Sequence, residues 1–356
     1  MLKAVDFFCG AGGLTRGLLD AGIRVVGGFD SNGDCHITYE HNNSPARFLH
    51  RNVESIEERD LRSLLGPISP DKVLFAGCAP CQPFTKQRRV GDYSRQKTLL
   101  GEFARLITAY RPGYVLMENV PGIRKVKGNS TYRRFLQRLE HEGYEYVEGL
   151  LNAKMYGVAQ SRNRWVVIAS RFGKPSLPCP THGPDIGRPF VSVRDAIGSL
   201  PEISAGTAHP TIPNHRASAL SELNLRRLSL TPPDGGDRRE WPEALRLDCH
   251  KGDYLGHTDV YGRMRWNDPA PTLTCKCYSL SNGRYGHPEQ NRAISFREAA
   301  ALQSFPDNYV FYGKSLDSVG AQIGNAVPVL FGKELGSAIL KFHKSVRKRS
   351  GKHPEC

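Results

Sequence analysis

With 356 residues, 24% of them charged and 39% hydrophobic, the chain can bury a core without disulfide or metal staples, and no apolar run approaches a membrane span. Lysine plus arginine number 49 against 35 aspartate plus glutamate, and the resulting +14 points to a polyanionic partner more than to an acidic small molecule. Nine cysteines without regular spacing suit a reducing compartment, and the opening MLKAVDFFCGAGG runs into a strand instead of a signal peptide, so a cytoplasmic location is expected.

In chain order, KAVDFF reads as a short buried strand, GLTRGLLDAG as an amphipathic helix, IRVVGGFD as a strand and DCHITYEHN as a helix. KVLFAG, YVLMENV and RWVVIAS read as further strands, with TLLGEFARLITAYR and STYRRFLQRLEHEG as the helices between them. This alternation predicts a doubly wound α/β domain over 1–171. Residues 172–262 hold 11 of the 24 prolines and five of the 12 histidines with weak periodicity, so an irregular smaller domain is expected over 172–292. Helical signals return in SFREAAALQ and PVLFGKELGSAILKFHKS, expected to complete the first domain over 293–345 ahead of a disordered basic tail, 346–356.

The positive charge is clustered outside the irregular stretch, where ten Lys/Arg face eleven Asp/Glu. Between Gln82 and Thr98 there are five basic residues and one acid, and from Asn119 to Leu139 there are Arg124, Lys125, Lys127, Arg133, Arg134 and Arg138 with no acid. Clusters of this kind follow phosphates, although a basic C-terminus can also be merely solvated.

Four motifs carry chemistry. DFFCGAGGL places Gly10, Gly12 and Gly13 at a strand-to-helix turn, and Asp30 closes the second strand where an acid can hold ribose hydroxyls. A full dinucleotide fingerprint would have glycine where Thr15 stands, so another nucleoside cofactor is favoured over a nicotinamide. FAGCAPCQPF presents Cys81 at a strand end in a basic loop, a setting that stabilises a thiolate. YVLMENVPG puts Glu118 at the carboxyl end of the next strand, and QSRNRW alternates Gln160, Arg162 and Arg164 before another, placing them on one face. The bland alternatives are a ligand-free turn, a helix cap and a solvated edge. Cys78 and Cys81 also form a CxxC. Zinc would want a second pair, and Cys275 with Cys277 makes only a CxC, while a redox dithiol normally opens a helix and here Pro83 follows; no metal site is expected.

Together DFFCGAGGL, GCAPCQPF, MENV, QSRNR, RMRWNDPAPTLT and GNAVP resemble, in order and spacing, the bacterial restriction-modification type of DNA (cytosine-5)-methyltransferase, over nearly all of the chain outside 172–262. The resemblance implies a Rossmann-like S-adenosylmethionine-dependent methyltransferase fold with a target-recognition domain, acting on a flipped-out cytosine in a short duplex DNA sequence. Cys81 would add to C6, Glu118 would hold the N3 and N4 edge, and Arg162 and Arg164 would meet the O2 side. S-adenosyl-L-methionine would lie on Phe7, Gly10, Gly12, Gly13, Leu14, Asp30, Asn52, Pro80, Leu99, Asn325 and Val327. Ser31 and Asn52 depart from the large apolar residue and the aspartate that relatives often have there, which bears on cofactor affinity. Gln82, Lys86, Arg88 and Arg89 of a mobile loop, with Gln160, Arg263, Lys276 and Arg284, would contact DNA, and Arg265 would support the recognition domain. A separate cognate restriction endonuclease and a monomeric state are also expected. Two other readings are a tRNA cytosine-5 methyltransferase, whose first proline of the cysteine motif is replaced here by Ala79, and a non-catalytic DNA-binding relative, whose motifs would be broken.

Overall fold

The computed structural model describes residues 1–79, 93–125, 131–250 and 259–350. The chain divides into two compact units, the first built from Met1–Asn152, Asn163–Pro180 and Val329–Cys356, the second from Ala153–Arg162 and Thr181–Pro328.

The first unit is organised on seven strands: β1 (Lys3–Phe7), β2 (Arg24–Asp30), β3 (Arg47–His50), β4 (Val73–Gly77), β5 (Tyr114–Asn119), β6 (Glu145–Asn152) and β7 (Asn163–Ser170). They lie in the order β3-β2-β1-β4-β5-β7-β6, with β1 to β5 parallel and β7 antiparallel to both neighbours. Every residue of β4 and β5 is buried, which is why VLFAG and YVLMEN read as continuous apolar runs: a parallel strand covered on both faces has no solvent side to mark with polar residues. The expected doubly wound, Rossmann-like α/β fold is therefore observed. The direction of winding reverses between β1 and β4, so the ligand crevice of such a sheet opens beyond Phe7 and Gly77.

One sheet face is packed by α3 (Glu58–Leu65), α4 (Tyr93–Tyr110) and α5 (Thr131–His141), which bury Leu61 and Leu65, Phe103 and Ile107, and Tyr132, Phe135 and Leu139 in a single core with Val5, Phe7, Phe75 and Met117. Among the described residues the remaining α-helices of the unit are α1 (Gly13–Asp20), α2 (His36–Asn43) and α10 (Val329–Ser350), and Leu14 of α1 packs against Gly332 of α10. The Tyr114 hydroxyl and His343 Nδ1, 2.9 Å apart, tie α10 to the sheet. Because α10 runs to Ser350, the expected disordered tail does not begin at 346; residues 351–356 lie outside the described residues.

The second unit carries short helices α6 (Val193–Ile197), α7 (Glu222–Ser229), α8 (Phe296–Leu302) and α9 (Leu316–Asn325) among turns. With few ladders to satisfy backbone carbonyls, buried arginines do so. Arg263, 2% exposed, donates to the carbonyls of Thr231, His287, Gln290 and Leu228 at 2.7–3.0 Å. Arg292 makes a two-pronged bond to Glu298, 2.7 Å on each arm. These ties, with Arg297 on the carbonyls of Asp307 and Tyr309, hold α8 within the second unit. The return to the first unit therefore comes at Val329 instead of the expected 293.

Candidate active site

At the end of β1 the chain turns through left-handed backbone at Phe8 (φ 60°), Gly10 (φ 50°) and Gly12 (φ 90°), a path glycine adopts without steric cost. Gly10 N–H donates 2.8 Å to Asp30 Oδ2 and Asn32 N–H donates 2.8 Å to Oδ1, so both oxygens of Asp30 are pinned by backbone while each keeps a second lone pair. Burial pushes the Asp30 carboxyl up and these amide bonds oppose it. The turn is also braced from below. Thr15, standing at the position of a third glycine, donates 2.7 Å to Asp6 Oδ2 and lies 3.0 Å from the Tyr39 hydroxyl. Burial raises the Asp6 carboxyl to about 7. Asp6 was not among the residues singled out from sequence; an acid inside an apolar strand was the available signal.

The parity of the turn corrects one expectation. Phe7 is fully buried, 5.0 Å from the Phe75 ring and 5.3 Å from Phe103, whereas Phe8 is only half-buried. Phe7 is thus a core residue, and Phe8, which follows it at the crevice end of β1, packs only in part against the same core. Leu14 is buried against α10, which leaves only its backbone amide, in the first turn of α1, to face a ligand. Asn52 and Ser31 are exposed, and Leu99 is half-buried against the core.

Beyond β4 and β5 a second group converges. Glu118, 5% exposed, accepts a 2.8 Å bond from Arg164 Nε, and the Cys78 thiol donates to the same carboxylate. Burial pushes the Cys78 thiol far above its ordinary range, with Glu118 adding to the effect, so this cysteine is held protonated. Asn119 Nδ2 donates 3.1 Å to the Ala79 carbonyl and its Oδ1 accepts from Val120 N–H, fixing the chain where the Cys81 segment departs. Pro80, Cys81, Gln82, Lys86, Arg88 and Arg89 lie outside the described residues.

Arg162 and Arg164 do not form one arginine pair. Arg164 belongs to β7 of the first unit, while Arg162 belongs to the second and donates to the carbonyls of Leu273, Gly324 and Ala326 at 2.9–3.1 Å. Gly324 belongs to that contact, since a Cβ there would come within 2.0 Å of the Thr274 carbonyl oxygen. Gln160 is fully buried, accepting from Leu273 N–H and donating to Gln303. For Gln160 and Arg263 the expected DNA contact is corrected to an internal one, because burial and backbone partners occupy both. Arg284 bonds the Gly235 carbonyl at 2.8 Å and Asp237 at 3.3 Å, and Lys276 pairs with Asp317. In GNAVP, Asn325 is exposed and Val327 buried.

A family model described as C-5 cytosine-specific DNA methylase matches residues 2–341. The chain is 40% identical over 351 residues to the Type II methylase M.HgiDII of Herpetosiphon aurantiacus, covering 97% of each. It is 32% identical over 347 residues to the Type II methyltransferase M1.HphI of Haemophilus parahaemolyticus, covering 96% of this chain and 87% of that protein. Among solved structures, a putative DNA modification methyltransferase encoded within an E. coli prophage superposes with a TM-score of 0.73 at 20% identity, over 96% of this chain and 99% of the other. With the match spanning almost its whole length, the chain belongs to the C-5 cytosine-specific DNA methylase family and is a DNA (cytosine-5)-methyltransferase.

Proposed function

We propose that the chain methylates C5 of a cytosine rotated out of a short, specific duplex sequence, as the modification half of a restriction-modification pair whose endonuclease acts separately. The observation that carries this is the Glu118–Arg164 pair at the carboxyl edge of the sheet, beside the departure of the Cys81 segment. Cytosine C5 is a poor nucleophile, and covalent addition elsewhere on the ring divides the difficulty between two steps. The Cys81 thiolate adds to C6 while Glu118, which takes up a proton with the base on the oxygen not bonded to Arg164, passes it to N3, leaving C5 an enamine carbon able to accept a methyl group. A base then removes the C5 proton, the C6–S bond breaks to return the thiolate, and N3 gives its proton back to Glu118. Arg164 and Cys78 hold Glu118 in place through those steps.

The residues at the switch point fit S-adenosylmethionine. A Cβ on Gly10 would meet nothing within 4 Å, so the turn faces open space beside the remaining lone pairs of Asp30. Phe8, the amides of the Gly10–Leu14 turn and Asp30 would hold it, with Asn52 offered to the adenine. When bound, it supplies an electrophilic methyl group. Asn325 and Val327 are assigned to it by motif alone. The second unit would read the DNA sequence, and the chain would act as a cytoplasmic monomer on nucleoid DNA.

The test is transfer of labelled methyl from S-adenosylmethionine to unmethylated duplex DNA and, in parallel, to tRNA, with bisulfite sequencing of the product. Label at cytosines sharing one short sequence is expected; label in tRNA alone would overturn the reading. Sedimentation is expected to give one chain per particle.

A further inference from the structure

The first unit carries a second hollow, at the end of the sheet away from the crevice. Lys3, Arg24 and Arg47 each open a strand, β1, β2 and β3, so they lie at the opposite end of the sheet from Phe7 and Gly77, about 13 Å away along β1. All three line a hollow of about 430 Å³ between these strands and α3.

The hollow has a cause in the sequence. The β1–β2 register slips between Ala4 and Val5, so that Val5 pairs with Gly27 and Val26 is left as an extra residue in β2. Gly27 then stands where a side chain would fill the space: a Cβ there would come 3.2 Å from Leu49 Cδ1 and 3.5 Å from Leu64 Cδ1. The floor is therefore aliphatic, made of half-buried Val26, Leu49 and Leu64 packed on the core.

The rim is cationic and is not neutralised from within. Lys3 and Arg24 stand in register on neighbouring parallel strands, where like charges repel. Lys3 Nζ donates 2.6 Å to the Leu65 carbonyl at the end of α3. The one acid of the described lining, Asp60, is already engaged, 3.0 Å from Arg51 Nη1 and accepting from the Glu57 amide at 2.9 Å. The guanidinium groups of Arg24 and Arg47, both exposed, have no hydrogen-bond or ion-pair partner among the described residues.

We propose that this hollow binds a small phosphate monoester with an aliphatic body. Two free guanidinium forks match phosphate oxygens, and a dianion neutralises more of the rim than a single carboxylate would. The floor favours an alkyl group over a nucleobase, because the aromatic residue of the lining, Phe29, is only 3% exposed and offers no face for stacking. The lining includes none of Phe8, Asp30, Asn52 or Glu118, so the site is independent of the methyl-transfer reading.

The test is calorimetry on the full chain with n-hexyl phosphate, inorganic phosphate and hexanol. A single hexyl phosphate per chain is expected, bound more tightly than inorganic phosphate by up to about four-fold for each methylene buried, with hexanol unbound and saturating S-adenosylmethionine without effect. In Arg24→Ala/Arg47→Ala the affinity is expected to fall at least about ten-fold through lost charge-assisted hydrogen bonds, while methyl transfer to duplex DNA stays parental. Ser63→Glu, at an exposed helix position of the lining, sets a carboxylate beside the arginines and is expected to weaken binding likewise; it decides the matter if the double variant has a lowered melting temperature. No binding to the parent, parental affinity in the variants, or displacement by S-adenosylmethionine overturns the site. Loss of DNA methylation together with hexyl phosphate binding in a folded double variant assigns the arginines to the DNA backbone and overturns it too. Co-sedimentation with vesicles containing phosphatidic acid is expected to be nearly the same for parent and variants, driven by the net charge of +14. A loss confined to the variants makes the ligand a lipid headgroup and overturns the soluble one.

Discussion

Arg164 Nε and Glu118 Oε1 lie 2.8 Å apart with their side chains 11% and 7% exposed, a charge pair almost wholly withdrawn from water. Such a pair adds little net stability, but removing one member strands the other. Arg164→Ala is therefore expected to cost about 3 kcal/mol in urea unfolding and to lower kcat at least 100-fold, about what loss of one well-placed electrostatic or proton-transferring group costs. A variant with parental stability and turnover would remove Arg164 from the site.

The two cysteines of the CxxC are expected to separate completely. Cys81→Ser should abolish turnover while leaving cofactor binding intact, because the serine hydroxyl is a far weaker nucleophile at neutral pH. Cys78→Ser keeps a donor for Glu118 and should retain most activity, whereas Cys78→Ala removes it. Single-turnover methyl transfer reads all three; activity in Cys81→Ser would sink the covalent route.

Phe7 and Phe8 should likewise part company. Phe7→Ala opens a cavity among Phe29, Phe75 and Phe103 and is expected to cost about 3–5 kcal/mol of stability. Phe8→Ala should cost far less and instead raise the Kd for S-adenosylmethionine, measured by calorimetry on the intact chain.

Asp6 makes stability depend on pH. Its folded carboxyl titrates at about 7 against about 3.9 when unfolded, so between these values the folded chain holds a proton that the unfolded chain has released. This contribution makes stability fall as pH rises through that window, by up to about 1.4 kcal/mol per pH unit, and level off above it. Asp6→Asn, which still accepts from Thr15, is expected to gain on the parent from pH 5 to 7 and no further. A constant difference in denaturant unfolding across that range would contradict the assignment.

Much of the sheet was legible because strands covered on both faces leave unbroken apolar text. β3 and β6 were not, since both are edge strands: RFLH is four residues long, and the half-buried EYVEGLLN has no clean alternation. The Phe7 and Phe8 exchange has a similar cause. Period two holds only while the backbone stays extended, and the left-handed turn at Phe8 ends it two residues before the glycines announce the change. Glu118 and Arg164 could be singled out because each has a local motif. The separate fate of Arg162 could not, as its carbonyl partners lie more than a hundred residues away at Leu273, Gly324 and Ala326.

The division of the chain at Asn152, Arg162, Pro180 and Pro328 bears on any attempt to exchange recognition modules between enzymes of this kind. A cassette cut at 181 and 328 would leave behind the ten residues Ala153–Arg162, among them Gln160 and Arg162, whose anchors at Leu273, Gln303 and Gly324 would have left with the insert. A functional transplant has to be made in two pieces, with the short one spliced between β6 and β7.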